Sequence, residues 1–266
     1  MVVTAADRAP ARRRWARPKK SSRDWGRAYR ALRKLIADKE DTTQVFEVMR
    51  ALAGGATEDN FARLVAQPGG GQIAYDHVEL AEKLMDRAWV ESFAPGTVGA
   101  AYAEFTSREH LSADGLVQIS PPDYAARDPY DWYNRRVRDI HDIWHVLTGY
   151  NRDHLGEICL VAFSYAQTHS LGFAFISGGV ALRSGNKEAR RAVWQAYRRG
   201  CAAAWLPGED YEALFAEPLE AARERLNLGR CPIYDAIPPD VRNDPTFSHP
   251  SPHIYHGLEP AQAAAA

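Results

Sequence analysis

The feature that most constrains this chain is a group of four potential metal ligands within RRVRDIHDIWHVLTGYNRDHLGE, residues 135–157. The group consists of His141, Asp142, His145 and, after eleven intervening residues, Glu157. Two histidines four positions apart on a helix lie on the same face, one turn from each other, so both imidazoles can reach one ion. Asp142 adds an oxygen one position further round the helix. This spacing predicts a divalent metal site.

Local helix signals explain how Glu157 would join that group. Asp128 precedes a proline, which is typical of a helix start, because Asp accepts the free amides of the first turn and proline loses no hydrogen bond there. A helix is therefore predicted over 129–149, ended by a glycine, and Asp153 is placed to cap the next helix. In an antiparallel pair with a short connection, positions equally far from the turn face each other. We therefore expect Glu157 beside His145.

The rest of the sequence predicts an all-α fold, a single domain of many helices whose central antiparallel pair carries the metal site. Apolar residues recur at helical intervals, and no segment alternates as a strand would. The other predicted helices begin at Trp25 and near Thr43, or cover 60–67, 75–89, 98–105, 186–205 and 218–227. Gly54 is expected to end the second helix, Thr97 to cap the helix over 98–105, and Trp194 to face inward from the helix over 186–205. Residues 1–21 are expected to form a flexible basic arm, 22–230 the helical metal-binding domain, and 231–266 a proline-rich strap with a disordered end.

A long apolar stretch runs from Leu155 to Leu182. It is long enough to raise the question of a transmembrane span, since about 20 apolar residues suffice. Polar residues and several glycines interrupt it, so we predict a buried central helix instead. The alternative is a helix that lines an apolar tunnel or touches a bilayer.

The net charge of −1 conceals a strong asymmetry along the chain. Residues 1–34 hold twelve Lys or Arg and two Asp, a net charge of +10, so the remaining residues carry −11. Such an arm would be attracted to an anionic surface, either nucleic acid or acidic phospholipid. A solvated tail without a partner is the alternative.

Cysteine usage and the N-terminal sequence indicate the compartment. The three cysteines, Cys159, Cys201 and Cys231, have no close pair, which argues against a disulfide framework or a Cys-based zinc site. Since Met1 is not followed by the pattern of a secretory signal, we expect a cytoplasmic protein.

The chemistry of the four-residue group leaves several metals open. Two imidazoles and two carboxylates suit zinc best, with iron, manganese or cobalt as alternatives. Peptidase chemistry loses support, because Asp142 stands where a zinc protease needs the longer glutamate. A phosphohydrolase with an adjacent His-Asp pair needs further histidines that we cannot assign. We interpret the remaining histidines as structural: His77, His110, His154, His169, His249, His253 and His256.

The segment HDIWHVLTGYNRDHLGE resembles the coenzyme Q biosynthesis protein 4 family, whose signature is His-Asp-x-x-His, eleven residues and Glu. Supporting similarity lies in DTTQVFEVMRAL, PGTVGAAYAEF and PLEAARERL, so the resemblance covers about residues 25–230. It implies an all-helical protein with His141, Asp142, His145 and Glu157 as metal ligands, through which they would act in catalysis.

The resemblance also implies a function in ubiquinone biosynthesis. The expected reaction is metal-dependent C1 decarboxylation of a polyprenylated 4-hydroxybenzoate intermediate, alone or coupled to C1 hydroxylation, by a carbon–carbon lyase. Expected partners are other ubiquinone-pathway proteins, the acidic surface of the cytoplasmic membrane at its cytoplasmic face, and further copies of the chain, but not nucleic acid. The alternative is a non-catalytic lipid-binding scaffold that organises other pathway enzymes around a structural metal.

Overall fold

The computed structural model describes residues 22–37, 43–109, 128–244 and 247. Within these ranges the chain is helical, apart from a single antiparallel bridge between Thr97 and Pro218, so the all-α prediction is confirmed. In chain order the helices are α1 (Trp25–Ala37), α2 (Thr43–Leu52), α3 (Ala56–Ala66), α4 (Gly70–Asp76), α5 (Leu80–Met85), α6 (Arg87–Val90), α7 (Val98–Arg108), α8 (Pro129–Asp139), α9 (His141–Thr148), α10 (His154–Thr168), α11 (Leu171–Arg183), α12 (Lys187–Ala202), a 3-10 helix (Leu206–Gly208), α13 (Tyr211–Leu214), α14 (Leu219–Arg225), α15 (Pro232–Asp235) and α16 (Pro239–Arg242).

Helix α10 lies at the centre of the fold. Almost all of its residues are buried, and it packs most extensively against α12 and α11. The main core surrounds it with side chains from α5 to α7, α9 and the C-terminal helices. A second cluster joins α1 and α2 to α11 through Ala28, Leu35, Val48 and Ile176. The predicted metal-site residues on α9 and α10 therefore lie on helices that pack against neighbours on several sides.

Several predicted helix ends are confirmed. The carboxylate of Asp128 accepts a hydrogen bond from the Tyr130 N–H at 2.8 Å, with proline at the first helical position of α8. Thr97 caps α7 by accepting from the Ala100 N–H at 3.2 Å. Glycines stop two helices where expected, since Gly54 and Gly149 have φ of 56° and 80°. These φ values strain any residue that carries a Cβ atom.

Two helices predicted as continuous are each divided. The helix over 129–149 breaks at Ile140 into α8 and α9. The stretch 155–182 is two helices, because His169 adopts a left-handed conformation with φ of 52° and the chain reverses before α11. Only α10 is the predicted buried helix. Much of α11 is partly exposed, because one of its faces packs on the core and the other does not.

Local sequence interpretation was also wrong between 56 and 89. The helix predicted over 60–67 begins earlier, at Ala56, and a separate helix that was not predicted starts at Gly70. The helix predicted over 75–89 is three short helices. They are separated by left-handed backbone at His77 and by Asp86, whose carboxylate caps α6 through the Trp89 N–H. These residues favour local turns over one amphipathic helix.

Differences also occur toward the C-terminus. Trp194 was predicted to face inward from α12, but 61% of it is exposed, and the buried face consists of Ala189, Val193 and other small residues. The short helices α15 and α16 occupy 232–242, part of the segment predicted as a strap. The predicted arm 1–21 and residues after 247 lie outside the described residues, so the domain boundaries remain predictions. In the described part of the chain, no helix is long and apolar enough to cross a membrane.

Candidate metal centre

A short helical hairpin brings the predicted ligands together. His141 and His145 lie on α9, which Gly149 ends by donating its N–H to the His145 carbonyl at 2.9 Å. The next helix, α10, starts after Asp153, whose carboxylate accepts a backbone N–H of the first turn at 2.8 Å. The chain thus reverses within a few residues, and Glu157 lies beside His145 as predicted.

Three side chains form a group that could hold one ion. Oε2 of Glu157 lies 3.4 Å from Nε2 of His145 and 4.0 Å from Nε2 of His141. One ligand atom from each residue lies within 4.8 Å of the others. Asp142 is not in this group, and its Oδ1 lies 3.4 Å from Nδ1 of His141, the other ring nitrogen. The structure therefore brings three of the four predicted ligands together. The fourth, Asp142, lies beside the Nδ1 atom of His141, whereas Glu157 lies beside Nε2.

His145 is fixed in one orientation by its surroundings. Its ring stacks on Phe105 with 5.6 Å between centroids, and Nδ1 lies 2.9 Å from the Tyr150 carbonyl oxygen. A carbonyl oxygen can only accept, so Nδ1 carries the proton, which leaves the lone pair of a neutral ring on Nε2. Nε2 is fully buried without a well-formed hydrogen bond. A buried, unsatisfied nitrogen directed at a carboxylate and a second imidazole fits a metal ligand.

The buried ionisable groups of the site shift each other's pKa values. Burial lowers the pKa of His145, but the adjacent Glu157 carboxylate outweighs burial, and the net pKa is raised. Burial likewise raises the pKa of Glu157, but His145, His141 and Arg152 together hold it far below its usual range. Arg152 contributes because its Nε lies 3.6 Å from Oε1 of Glu157. Sequence reasoning missed Arg152, since a cation in a short connection carries no signal that separates it from a solvated loop residue.

A cavity of about 440 Å³ adjoins the site. Arg138 of α8 and His141 of α9 line it, together with apolar side chains of α10 and α11 such as Val161, Phe173 and Ile176. His141 is the most exposed of the three grouped residues, with 21% of its side chain accessible against 0% for His145 and 5% for Glu157. The group of His141, His145 and Glu157 therefore opens toward this cavity on the His141 side.

The other described histidines have separate environments. His77 packs its ring on Trp132 at 5.0 Å, His154 lies 3.3 Å from the Asp244 carbonyl oxygen, and His169 ends α10. None of these belongs to a metal-ligand group in the described residues, while His110, His249, His253 and His256 lie outside those residues. All three cysteines are free.

Comparison with known proteins assigns the family. The family model described as Coenzyme Q (ubiquinone) biosynthesis protein Coq4 matches residues 29–232. The chain belongs to the Coq4 family. The match covers both helices of the site, and the family predicted from the sequence is confirmed.

Named relatives agree with this assignment. The chain is 27% identical over 185 residues to the ubiquinone biosynthesis protein COQ4, mitochondrial, of Uncinocarpus reesii, covering 68% of this chain and 62% of that protein. It is also 27% identical over 187 residues to the corresponding protein of Pyrenophora tritici-repentis, covering 68% and 60%. The matched region thus spans about three fifths of the length of these relatives.

A solved structure has the same fold. The crystal structure of a Nostoc punctiforme protein assigned to ubiquinone biosynthesis superposes with a TM-score of 0.56 at 20% identity. The superposition covers 78% of this chain and all of that one. At this identity, the likeness supports the helical fold alone.

Proposed function

We propose that this Coq4-family chain acts in ubiquinone biosynthesis as a metal-dependent carbon–carbon lyase that removes the C1 carboxylate of a polyprenylated 4-hydroxybenzoate intermediate. The observation that carries this proposal is the group of His141, His145 and Glu157 at the wall of an apolar cavity. Decarboxylation occurs alone or coupled to hydroxylation at the same carbon, in which case an oxidant is also required.

The donor set fits a divalent metal. Two imidazole nitrogens and one carboxylate oxygen are the ligands of many catalytic zinc sites, and the same set also accepts iron, manganese or cobalt. Asp142 completes the predicted four-residue set, although it lies behind His141. When bound, a divalent metal stabilises negative charge on a carboxylate or phenolate oxygen.

The side chains of the cavity then position the substrate. The aromatic head is placed at His141, beside the ion pair that Arg138 forms with Asp139 at 2.7 Å. The prenyl tail lies against Val161, Phe173 and Ile176. The 4-hydroxyl of the ring lies para to the departing carboxylate, so electrons from a phenolate reach C1. C1 accepts a proton, and as the bond from C1 to the carboxylate breaks and CO₂ leaves, the electron pair of that bond returns to the ring and restores the phenolate. Because His145 and Glu157 are buried, bulk water is kept away from the site and does not compete with the substrate for it.

We also propose that the protein lies on an acidic membrane surface, where its lipid substrate is found, at the cytoplasmic face expected from the sequence. Support comes from an apolar face formed by Trp25 and Tyr29 of α1 with Phe175 and Leu182 of α11. Trp25, Tyr29 and Leu182 are 54%, 58% and 80% exposed, and the rings of Trp25 and Phe175 touch edge to face at 6.3 Å. Basic residues of α1 flank this face and suit anionic lipids.

Helix α11 connects this apolar face to the cavity, because it also contributes Phe173 and Ile176 to the cavity wall. A prenylated substrate would therefore have a short path between the membrane and the site. Other ubiquinone-pathway proteins and further copies of the chain are proposed as partners on the basis of family membership.

A second candidate is a lipid-binding scaffold with a structural metal. The observation in its favour is burial. As whole residues, His145 and Glu157 are only 2% and 4% exposed, and their contact joins α9 to α10. In that case the ion would hold the hairpin together, and the cavity would bind prenyl lipid without chemistry.

The proposal is tested with His141→Asn, His145→Asn and Glu157→Gln in cells that depend on this protein for ubiquinone. Each variant is expected to accumulate intermediates that keep the C1 carboxylate. His77→Asn is the matched control, because His77 is exposed and asparagine tolerates its left-handed backbone. Unchanged C1 decarboxylation in all three site variants would overturn the proposal.

A further inference from the structure

The carbonyl groups at the end of α9 receive hydrogen bonds from two arginines of other helices. The last four carbonyls of a helix have no N–H partner within it, and in α9 they belong to residues 145–148. The first of them accepts from the N–H of Gly149. Arg223 of α14 donates from Nη2 and Nε to the next two, at 2.8 and 3.1 Å. Arg199 of α12 donates to the last at 2.9 Å. Every carbonyl of this final turn therefore has a donor.

The two guanidinium groups also lie at the favourable end of α9 for a cation. The C-terminal end of a helix carries partial negative charge, which a nearby Arg or Lys stabilises. This matters for α9, because it has only 8 residues, and isolated helices shorter than about 12–15 residues are marginal in water. The geometry of α9 therefore depends on contacts from other parts of the chain.

Arg223 lies in PLEAARERL, residues 218–226, which resembles the family outside the ligand group, as does PGTVGAAYAEF, residues 95–105. A backbone hydrogen bond of 2.9 Å and the antiparallel bridge join these two segments. Phe105 of the first segment stacks on the ring of His145, and Arg223 of the second binds the backbone of the two residues that follow His145. Two linked segments thus contact the part of α9 that carries this histidine.

We infer that Arg223 is a positioning residue of the metal site, because it holds the last turn of α9 and so keeps His145 directed at Glu157. Arg199 completes the same cap. A shift of this turn would move Nε2 of His145, which lies 3.4 Å from Oε2 of Glu157, and site residues must be held within about 0.5 Å of their working geometry. The inference rests on the proposed function, since it takes His141, His145 and Glu157 as the place where the ion binds.

Substitution by methionine removes the donors of Arg223 and keeps the aliphatic part of its side chain. In Arg223→Met the carbonyls of residues 146 and 147 lose their partners. Arg225→Met is the matched control two positions along the chain, where the guanidinium pairs with Glu209 and Glu217. Arg223→Lys keeps the charge but replaces the planar fork of donors with a single ammonium group.

The expected effect is a loss of metal affinity in the folded protein. Loss of a residue that orients a metal ligand from outside typically lowers metal affinity by about 10–100-fold. We expect Arg223→Met to bind Co²⁺ about 10–100-fold more weakly than the natural protein, and Arg223→Lys to lose less. Arg225→Met should bind with the natural affinity. In the metal-free protein, the Gly149 N–H should exchange with solvent faster in Arg223→Met, because the last turn of α9 opens more often.

The experiment measures Co²⁺ affinity by chelator competition on the full-length variants, with backbone hydrogen exchange followed by mass spectrometry. Urea unfolding is recorded in parallel, because a residue that only stabilises the fold would lower the unfolding midpoint and leave the Co²⁺ affinity of the folded protein unchanged. Far-ultraviolet circular dichroism without urea shows that each variant is folded. If Arg223→Met does not fold, Arg223→Lys is compared with Arg225→Lys instead: weaker Co²⁺ binding by the first supports the inference, and equal binding overturns it.

Natural Co²⁺ affinity in folded Arg223→Met would overturn the inference and leave the proposed function intact. A loss in Arg225→Met as large as in Arg223→Met would also overturn it, because the effect would then not depend on the bonds to α9. The expected affinities in a protein that releases no CO₂ from the prenylated acid would support the inference and overturn the proposed function alone. A natural protein that binds no Co²⁺ would overturn both.

Discussion

Nε2 of His145 and Oε2 of Glu157 lie 3.4 Å apart although eleven residues separate them in the chain. Gly149 and Asp153 create this proximity by ending one helix and starting the next within the connection between them. The contact is buried, so each group requires a partner, and a divalent ion can satisfy both.

Gly156→Ala should destabilise the protein and weaken metal binding. A Cβ atom on Gly156 would lie 2.0 Å from the Asn151 carbonyl oxygen and 2.9 Å from the Tyr234 hydroxyl, so the connection must move. Overpacking of this kind costs about 1–3 kcal/mol, and Glu157 is the next residue. Urea unfolding and Co²⁺ binding measure both effects.

Gly178→Ala is the matched control, because a Cβ atom there meets nothing within 4 Å on a helix. It should stabilise the protein by up to about 1 kcal/mol. Equal stability of the Gly156→Ala protein and the natural protein would show that the connection does not pack against α10 as described.

The pair of Arg136 and Glu212 should make stability depend on acid pH. The Arg136 side chain is 2% exposed and donates from two guanidinium nitrogens to both oxygens of Glu212 at 3.2 and 2.9 Å. Burial raises the pKa of Glu212, but hydrogen bonds and charge from Arg136 outweigh burial and lower the pKa below 4.5. The folded pKa lies below the unfolded one, so this stabilisation is present above about pH 4.5 and is lost as pH falls through the folded value.

Glu212→Gln should therefore cost about 3–5 kcal/mol at pH 7, because it leaves a buried cation without its carboxylate. The difference from the natural protein should shrink in denaturant titrations below pH 4.5. Glu220→Gln, in an exposed pair with Arg223, should cost no more than about 1 kcal/mol. If the loss of unfolding free energy in Glu212→Gln stayed the same at all acid pH values, the pairing of Arg136 with Glu212 would be contradicted.

Ala56→Phe should exclude long prenyl tails without affecting the metal. Ala56 lines the cavity at the start of α3, and a phenyl ring there would fill part of the space. The expected result is weaker binding of long-chain prenylated acids than of short-chain ones, with unchanged Co²⁺ affinity. The control is Ala66→Phe, at the exposed end of the same helix. This variant should bind short-chain and long-chain acids as tightly as the natural protein does. An equal loss of affinity for short-chain and long-chain prenylated acids would show that the prenyl tail binds outside this cavity.

The double variant Trp25→Ala and Tyr29→Ala should reduce binding to vesicles that contain acidic phospholipid. Both residues belong to the apolar face beside α11, and each is more than half exposed. Tyr75→Ala, which removes an aromatic side chain that is 81% exposed on α4, is the control and should bind normally. Vesicle flotation measures the fraction bound. If the double variant bound these vesicles as well as the natural protein does, this face would not be the membrane contact.

The sequence was informative where local chemistry decides the structure. Asp128, Gly149 and Asp153 carry strong start and stop signals, and counting from them predicts Glu157 next to His145, as the structure has it. Fold class followed in the same way, because helical periodicity persists along the chain.

Other features depend on tertiary packing that no local pattern encodes. The break at Ile140 and the reversal after His169 contain neither proline nor glycine, so continuous helices were predicted there. Trp194 was expected inside because it is apolar, but small residues allow α12 to approach α10 closely. The placement of Asp142 behind His141 depends on side-chain orientation, which spacing alone does not determine.

The central claim is tested most directly with purified full-length protein and a polyprenylated 4-hydroxybenzoate labelled at its carboxyl carbon. The account predicts labelled CO₂ from the metal-loaded protein, loss of that release with a chelator while the helical circular dichroism stays intact, and recovery when the divalent metal is restored. Release that is indifferent to the chelator, or no release from the fully loaded protein, would contradict it.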